Sequence, residues 1–220
     1  MSAHRVLLAT RNDGKLVELR RILAAAASDV ELVGLDDAPP YGEVAETGLT
    51  FAENALLKAR AGVRATGLVT VADDSGLAVD ALNGMPGVFS ARWSGRKVGE
   101  EGRDAVDAAN LDLLLAQLAD VPEARRGASF VCAAALVTPD GAEQVVEGTV
   151  AGTLLDRPRG DGGFGYDPIF VPYGHDRTTA EMEPAEKDAL SHRGQAFRAL
   201  APLVADAFGV SVPASGGGAP

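Results

Sequence analysis

The segment Leu68-Val69-Thr70-Val71-Ala72 is apolar and β-branched, and it runs directly into Asp73-Asp74-Ser75-Gly76. Such a run reads as a buried strand that ends at Asp73 and delivers two carboxylates to a loop. Paired carboxylates at a strand end suit a hard divalent cation such as Mg²⁺. The same four residues also suit an Asx-type turn that simply closes the strand. On this segment alone both readings stand.

The chain has 220 residues, 46% of them hydrophobic, enough to bury a substantial core as one unit. Its net charge of −11 argues against a nucleic-acid binder, whose phosphate contacts need an excess of Lys and Arg. A phosphate-bearing small molecule remains compatible, because a few basic groups gathered at one place can serve it. The single cysteine, Cys132, sits within an apolar run and is expected to pack as a small buried group. The opening apolar run, Val6 to Ala9, is far too short for a signal peptide. No stretch approaches the ~18 apolar residues of a membrane span. The chain is therefore expected to be a soluble, cytoplasmic protein with no membrane partner.

The apolar periodicity predicts a strand at Arg5–Ala9, a helix at Gly14–Ala27 and a strand at Val30–Leu35. Thr50-Phe51-Ala52-Glu53 has the pattern of a capping box and predicts a helix to about Ala65. Residues 83–99 read as irregular, followed by a helix at about 101–119. Two strand-like runs, Gly127–Thr138 and Glu143–Gly152, flank Pro139-Asp140-Gly141, a hairpin signal. Pro168 to Val171 reads as extended and Ser191 to Phe208 as the last helix. Early alternation followed by a hairpin predicts an α/β fold with a mixed sheet. One domain is expected over 1–210, with 211–220 a disordered Gly- and Ala-rich tail.

Four stretches carry polar chemistry. Thr10-Arg11-Asn12-Asp13-Gly14-Lys15 lies between a strand and a helix, where free backbone N–H groups, Thr10, Asn12 and Lys15 suit a phosphate. It is not a Walker A loop, and an ordinary polar turn is the other reading. Glu46 precedes the capped helix, so it and the Asp73-Asp74 pair are three carboxylates that could converge on one Mg²⁺, or two of them could bind the metal while one polarises water. For Glu46 a solvated loop acid is the alternative. Gly160-Asp161-Gly162-Gly163-Phe164-Gly165-Tyr166-Asp167 satisfies GxGxxG formally, but Pro168 and the β-branched residues after it exclude the helix that a dinucleotide fingerprint needs. It reads instead as a loop that can lay Phe164 against a flat ring, with Asp167 as an acceptor, or as a purely structural Gly-rich turn. Finally, Lys187, His192 and Arg193 gather donors near the start of the last helix, a candidate anion or base-edge site.

Together, TRNDGK, ETGLTFAENALLKAR, ADDSGLAVDALNGMPGVFSARWSG, GGFGYDPIF and EKDALSHRGQAF resemble the signature segments of the inosine triphosphate pyrophosphatases, from about Val6 to about Leu200. The resemblance implies hydrolysis of dITP, ITP and XTP to the monophosphate and diphosphate, cleansing the nucleotide pool. It implies an elongated mixed sheet flanked by helices, with the active site in a cleft between two lobes, and a homodimer. Asp74 falls on the family's catalytic, metal-associated aspartate, Glu46 on its metal-site glutamate, and Asp73 stands beside them as a further metal candidate for Mg²⁺. Thr10 to Lys15 fall on its phosphate-binding segment. Ser75, the Phe164-Gly165-Tyr166-Asp167 segment, Lys187, His192 and Arg193 fall on its remaining substrate contacts. Arg11 stands where a small residue is expected, and the C-terminal tail has no counterpart. The alternative is another nucleotide pyrophosphatase acting on canonical or modified dNTPs.

Overall fold

In a computed structural model of the chain, residues 4–10, 17, 20 and 30–209 are described. The predicted helix at 14–27 and the tail at 211–220 lie outside them, residues 17 and 20 excepted. The described strands form one six-stranded sheet in the order β2-β1-β3-β4-β5-β6. They are β1 (His4–Leu8), β2 (Val30–Val33), β3 (Val69–Val79), β4 (Gly127–Val137), β5 (Glu143–Leu154) and β6 (Phe170–Pro172). β1 is parallel to both β2 and β3, whereas β3 to β6 are antiparallel, so the sheet is mixed as expected.

The four helices that matter for the site are α1 (Phe51–Thr66), α2 (Arg103–Gln117), α3 (Pro184–Leu190) and α4 (His192–Asp206). α1 starts where the cap predicts: the Glu53 N–H donates to Thr50 Oγ1 at 3.1 Å, and the Glu53 carboxylate accepts from Leu49 N at 2.6 Å. That second bond comes from Leu49 instead of the N-cap residue itself, a variant of the reciprocal box.

Strand alternation divides the core between the two sheet faces. Val6, Leu8, Val69, Val71, Cys132, Ala134 and Leu136 meet Ala196, Phe197, Leu200 and Val204 of α4. Leu7, Ala72, Ala133, Ala135 and Val137 meet Ala55 and Ala59 of α1 on the opposite face. Small residues let α1 come close: a Cβ at Gly62 would collide with Thr70 and Leu7. Toward the other end of the sheet Leu77, Val79, Phe130, Val150 and Leu154 pack with Leu111 and Leu114 of α2, with Leu118 just past its end and with Phe170. β3, β4 and β5 thus run through two packed ends of one sheet.

Three local expectations need correction. β3 does not stop at Asp73; it continues to Val79 because β4 pairs with it without a break from Thr70↔Val137 to Val79↔Ala128. Asp73, Asp74 and Ser75 are therefore strand residues, not loop residues. Residues 83–99 are partly ordered, with a 3₁₀ helix at Gly87–Arg92. Pro168 lies in a 3₁₀ turn, Asp167–Ile169, that precedes β6. Among the described residues no helix is long and apolar enough to cross a membrane.

Candidate active site

β1 accompanies β3 only as far as Leu8↔Val71, with one further bond from Ala9 N to Val71 O. Where β1 leaves, a cavity of about 540 Å³ opens beside Asp74, Ser75 and Gly76. The long β3 carries Asp74 into this opening, and strand alternation turns its neighbour Asp73 to the other face.

Asp74 faces α1. Its Oδ2 accepts from Asn54 Nδ2 at 3.0 Å, and its Oδ1 accepts from Lys58 Nζ at 3.2 Å. Asn54 and Lys58 are four residues apart, hence on one face of the helix. The same ammonium donates to Glu46 Oε1 at 2.9 Å, and Arg92 Nη1 donates to Glu46 Oε2 at 3.0 Å. The Lys58 side chain is 16% exposed and that of Asp74 8%. Burial alone would lower the Lys58 pKa, but the charges of Asp73, Asp74 and Glu46 together outweigh it and raise it. Lys58 therefore stays an ammonium at neutral pH.

Asp73 turns to the opposite face, toward α4. Its Oδ2 accepts from Ser75 Oγ at 3.4 Å and lies 3.9 Å from Arg193 Nε, while Arg193 Nη2 donates to Ser75 Oγ at 3.1 Å. Glu46 and Asp74 converge on one cationic position, and Lys58 Nζ takes it. Among the described residues no three His, Cys, Asp or Glu side chains form a group that could hold a metal ion. Oxygen-only donors around a bound positive charge fit a hard cation in company with Lys58.

The opposite wall is built by the Gly-rich loop and α4. Lys187 Nζ and Arg193 Cζ each lie 5.0 Å from the Phe164 ring centroid. Asp167 holds this loop, accepting from Phe164 N at 2.8 Å, Lys187 Nζ at 2.6 Å and Thr179 Oγ1 at 2.8 Å. The Tyr166 hydroxyl donates to Ser90 O at 2.9 Å, and burial together with nearby Asp107 raises its pKa. Ser191 caps α4 by accepting from Gly194 N at 2.9 Å, which leaves Lys187 on α3 and places His192 and Arg193 at the start of α4. Asp107 of α2 lines the same cavity. Its pKa is raised by burial, partly offset by Arg103 and by the Gly165 N–H.

Of the residues proposed from sequence, Thr10, Glu46, Asp74, Ser75, Phe164, Gly165, Tyr166, His192 and Arg193 line the cavity. Asp167 accepts from the Phe164 N–H, Lys187 Nζ lies over the Phe164 ring, and Asp73 accepts from Ser75 Oγ. Arg11, Asn12, Asp13, Gly14 and Lys15 lie outside the described residues. Sequence reasoning missed Asn54, Lys58, Arg92 and Asp107. For the first pair a signal existed: Asn54 and Lys58 interrupt an otherwise alanine- and leucine-rich helix at a spacing of four.

The Ham1 family model matches residues 6–203. The chain is 65% identical over 200 residues to a dITP/XTP pyrophosphatase of Frankia alni, covering 91% of this chain and 96% of the relative. It is 60% identical over 205 residues to a dITP/XTP pyrophosphatase of Streptomyces coelicolor, covering 93% and 99%. Among solved structures, a nucleoside-triphosphatase / dITP/XTP pyrophosphatase from Mycobacterium abscessus superposes with a TM-score of 0.72 at 61% identity, over 90% of this chain and 99% of that one. The Staphylococcus aureus Ham1 protein superposes with a TM-score of 0.78 at 37% identity, over 92% and 98%.

Proposed function

The chain belongs to the Ham1 family, and from that premise we propose that it hydrolyses dITP, ITP and XTP to the nucleoside monophosphate and diphosphate. The observation that carries this reading is one cavity lined by two kinds of chemistry. Asp74 of β3 and the loop residue Glu46 surround Lys58 of α1, and the Phe164 ring of the Gly-rich loop lies beside Arg193 at the start of α4. The first kind suits a triphosphate with its cation, the second a purine.

In this reading Glu46 and Asp74 hold Mg²⁺, which when bound neutralises the triphosphate and polarises its α-phosphate. Lys58 keeps both carboxylates aimed at one point and adds a fixed positive charge beside the phosphates. Asp74 Oδ1 and Oδ2 are anchored by Lys58 and Asn54, so the carboxylate is oriented before substrate arrives. It orients the attacking water and accepts its proton as attack on the α-phosphorus proceeds. Thr10 and the Arg11–Lys15 segment receive the departing diphosphate.

At the other wall Phe164 stacks on the purine, and Arg193 and His192 donate to O6. Hypoxanthine and xanthine present an acceptor there, whereas adenine presents an amino group. A buried donor facing that group is left unsatisfied, a mismatch that can reach about 10⁴-fold in discrimination. Lys187 and Asp167 hold Phe164 in place, and Ser75 joins the two walls through its bond with Arg193. A homodimer is part of this reading, with sedimentation or light scattering as its check.

Hydrolysis of dITP in ¹⁸O-enriched water tests the cleaved bond. Label in the monophosphate supports attack at the α-phosphorus, and label in diphosphate or orthophosphate overturns it.

A further inference from the structure

A column of three rings runs from the core into the cavity. Phe170 of β6 meets Phe130 of β4 at 4.6 Å between centroids and 60° between planes. Phe130 in turn stacks nearly flat on His192, at 4.9 Å and 8°. Phe130 is 9% exposed and His192 6%, and both line the cavity. The backbone of His192 is confined as well, because a Cβ at Gly148 would collide with the His192 carbonyl and with Ala196 N. One face of the imidazole is thus covered by an apolar ring that is itself wedged against Phe170. A parallel ring neighbour restricts rotation of the imidazole out of its plane, and polar contacts are made at the edge of the imidazole instead of its face. Phe130 lies in an apolar strand and by sequence counts only as core.

We propose that Phe130 is a positioning residue for purine recognition: its ring fixes the plane of the His192 imidazole so that a ring N–H is held toward the base. This rests on the reading of His192 as a base donor. A donor held in place needs no ordering when the ligand arrives, so loss of the stack weakens binding without touching the groups around the phosphates.

The test is a double-mutant cycle on the full chain with Phe130→Leu, His192→Ala and both together, reading KM and kcat for dITP and the affinity for inosine monophosphate. In the parent background Phe130→Leu is expected to raise KM and weaken monophosphate binding about three- to tenfold, the range an aromatic pair contributes. In the His192→Ala background the same substitution is expected to change either value less than about twofold, because coupled residues are not additive. Equal factors in both backgrounds, or a loss confined to kcat, would overturn the assignment. Phe130→Met, which refills the space with a flexible apolar chain, repeats the cycle if the leucine variant does not fold. A parent chain that fails to hydrolyse dITP overturns the functional reading itself. A parent that hydrolyses dITP but shows additive effects overturns only the role of Phe130.

Discussion

Replacing Lys58 with methionine keeps the length and most of the apolar stem of the side chain but removes the charge. Two carboxylates, Glu46 at 2.9 Å and Asp74 at 3.2 Å from the ammonium, then lose their shared cation. Breaking a buried ion pair from one side costs about 3–5 kcal/mol. Here the Glu46 side chain is 27% exposed and keeps Arg92, so only the Asp74 half carries the full penalty. About 2–3 kcal/mol is the appropriate figure after that discount. For a chain of this size each kcal/mol moves the melting temperature about 2–4 °C, so Lys58→Met is expected to melt about 4–12 °C below the parent. If Glu46 and Asp74 hold Mg²⁺ as proposed, magnesium chloride restores positive charge between the same carboxylates and raises the melting temperature of the variant more than that of the parent. Differential scanning fluorimetry with and without magnesium measures both shifts. A variant melting within about 1 °C of the parent, or an equal magnesium shift in the two proteins, would refute the placement of Lys58 as the shared cation.

Asp74→Asn retains the side-chain shape but not the base, and turnover of dITP is expected to fall about 10²–10⁴-fold with the fold retained by circular dichroism. A normal rate would remove Asp74 from the chemistry. Phe164→Ala should raise the KM for dITP about tenfold, since base–aromatic stacking is commonly worth about 1–3 kcal/mol; an unchanged KM would dismiss the stacking role. Tyr166→Phe deletes only the hydroxyl that donates to Ser90 O. Its expected cost is about 1 kcal/mol, seen as a melting temperature lower by about 2–4 °C. An unshifted melting curve would mean that this bond contributes nothing net.

Local chemistry was readable wherever the deciding interaction is short in sequence. The cap of α1 is made by Thr50 and Glu53, three residues apart. The hairpin of β4 and β5 closes through Thr138 and Ala142 around the Gly-containing turn. The formal GxGxxG match was rightly set aside, because a 3₁₀ turn and β6, not a helix, follow it. What escaped was decided at long range. Asp74 to Gly76 look like a loop until β4 pairs with them, from Asp74↔Ala133 to Gly76↔Val131. That pairing also sends Asp73 and Asp74 to opposite faces, which adjacency in sequence conceals. Lys58 reads as a surface lysine on a helix until Glu46 and Asp74 are brought to it from two other segments. Lys187, His192 and Arg193 look like one basic cluster, yet Ser191 ends one helix and caps the next between them.

The central claim is that this cavity selects 6-oxo purines outside the canonical pair and cleaves their triphosphate at the α-phosphorus. Hydrolysis of dITP, XTP, dGTP and dATP with Mg²⁺, with diphosphate and orthophosphate assayed separately, tests it most directly. Diphosphate from dITP and XTP with little from dGTP or dATP is the predicted result. Orthophosphate as the first product, or equal use of all four nucleotides, would contradict it.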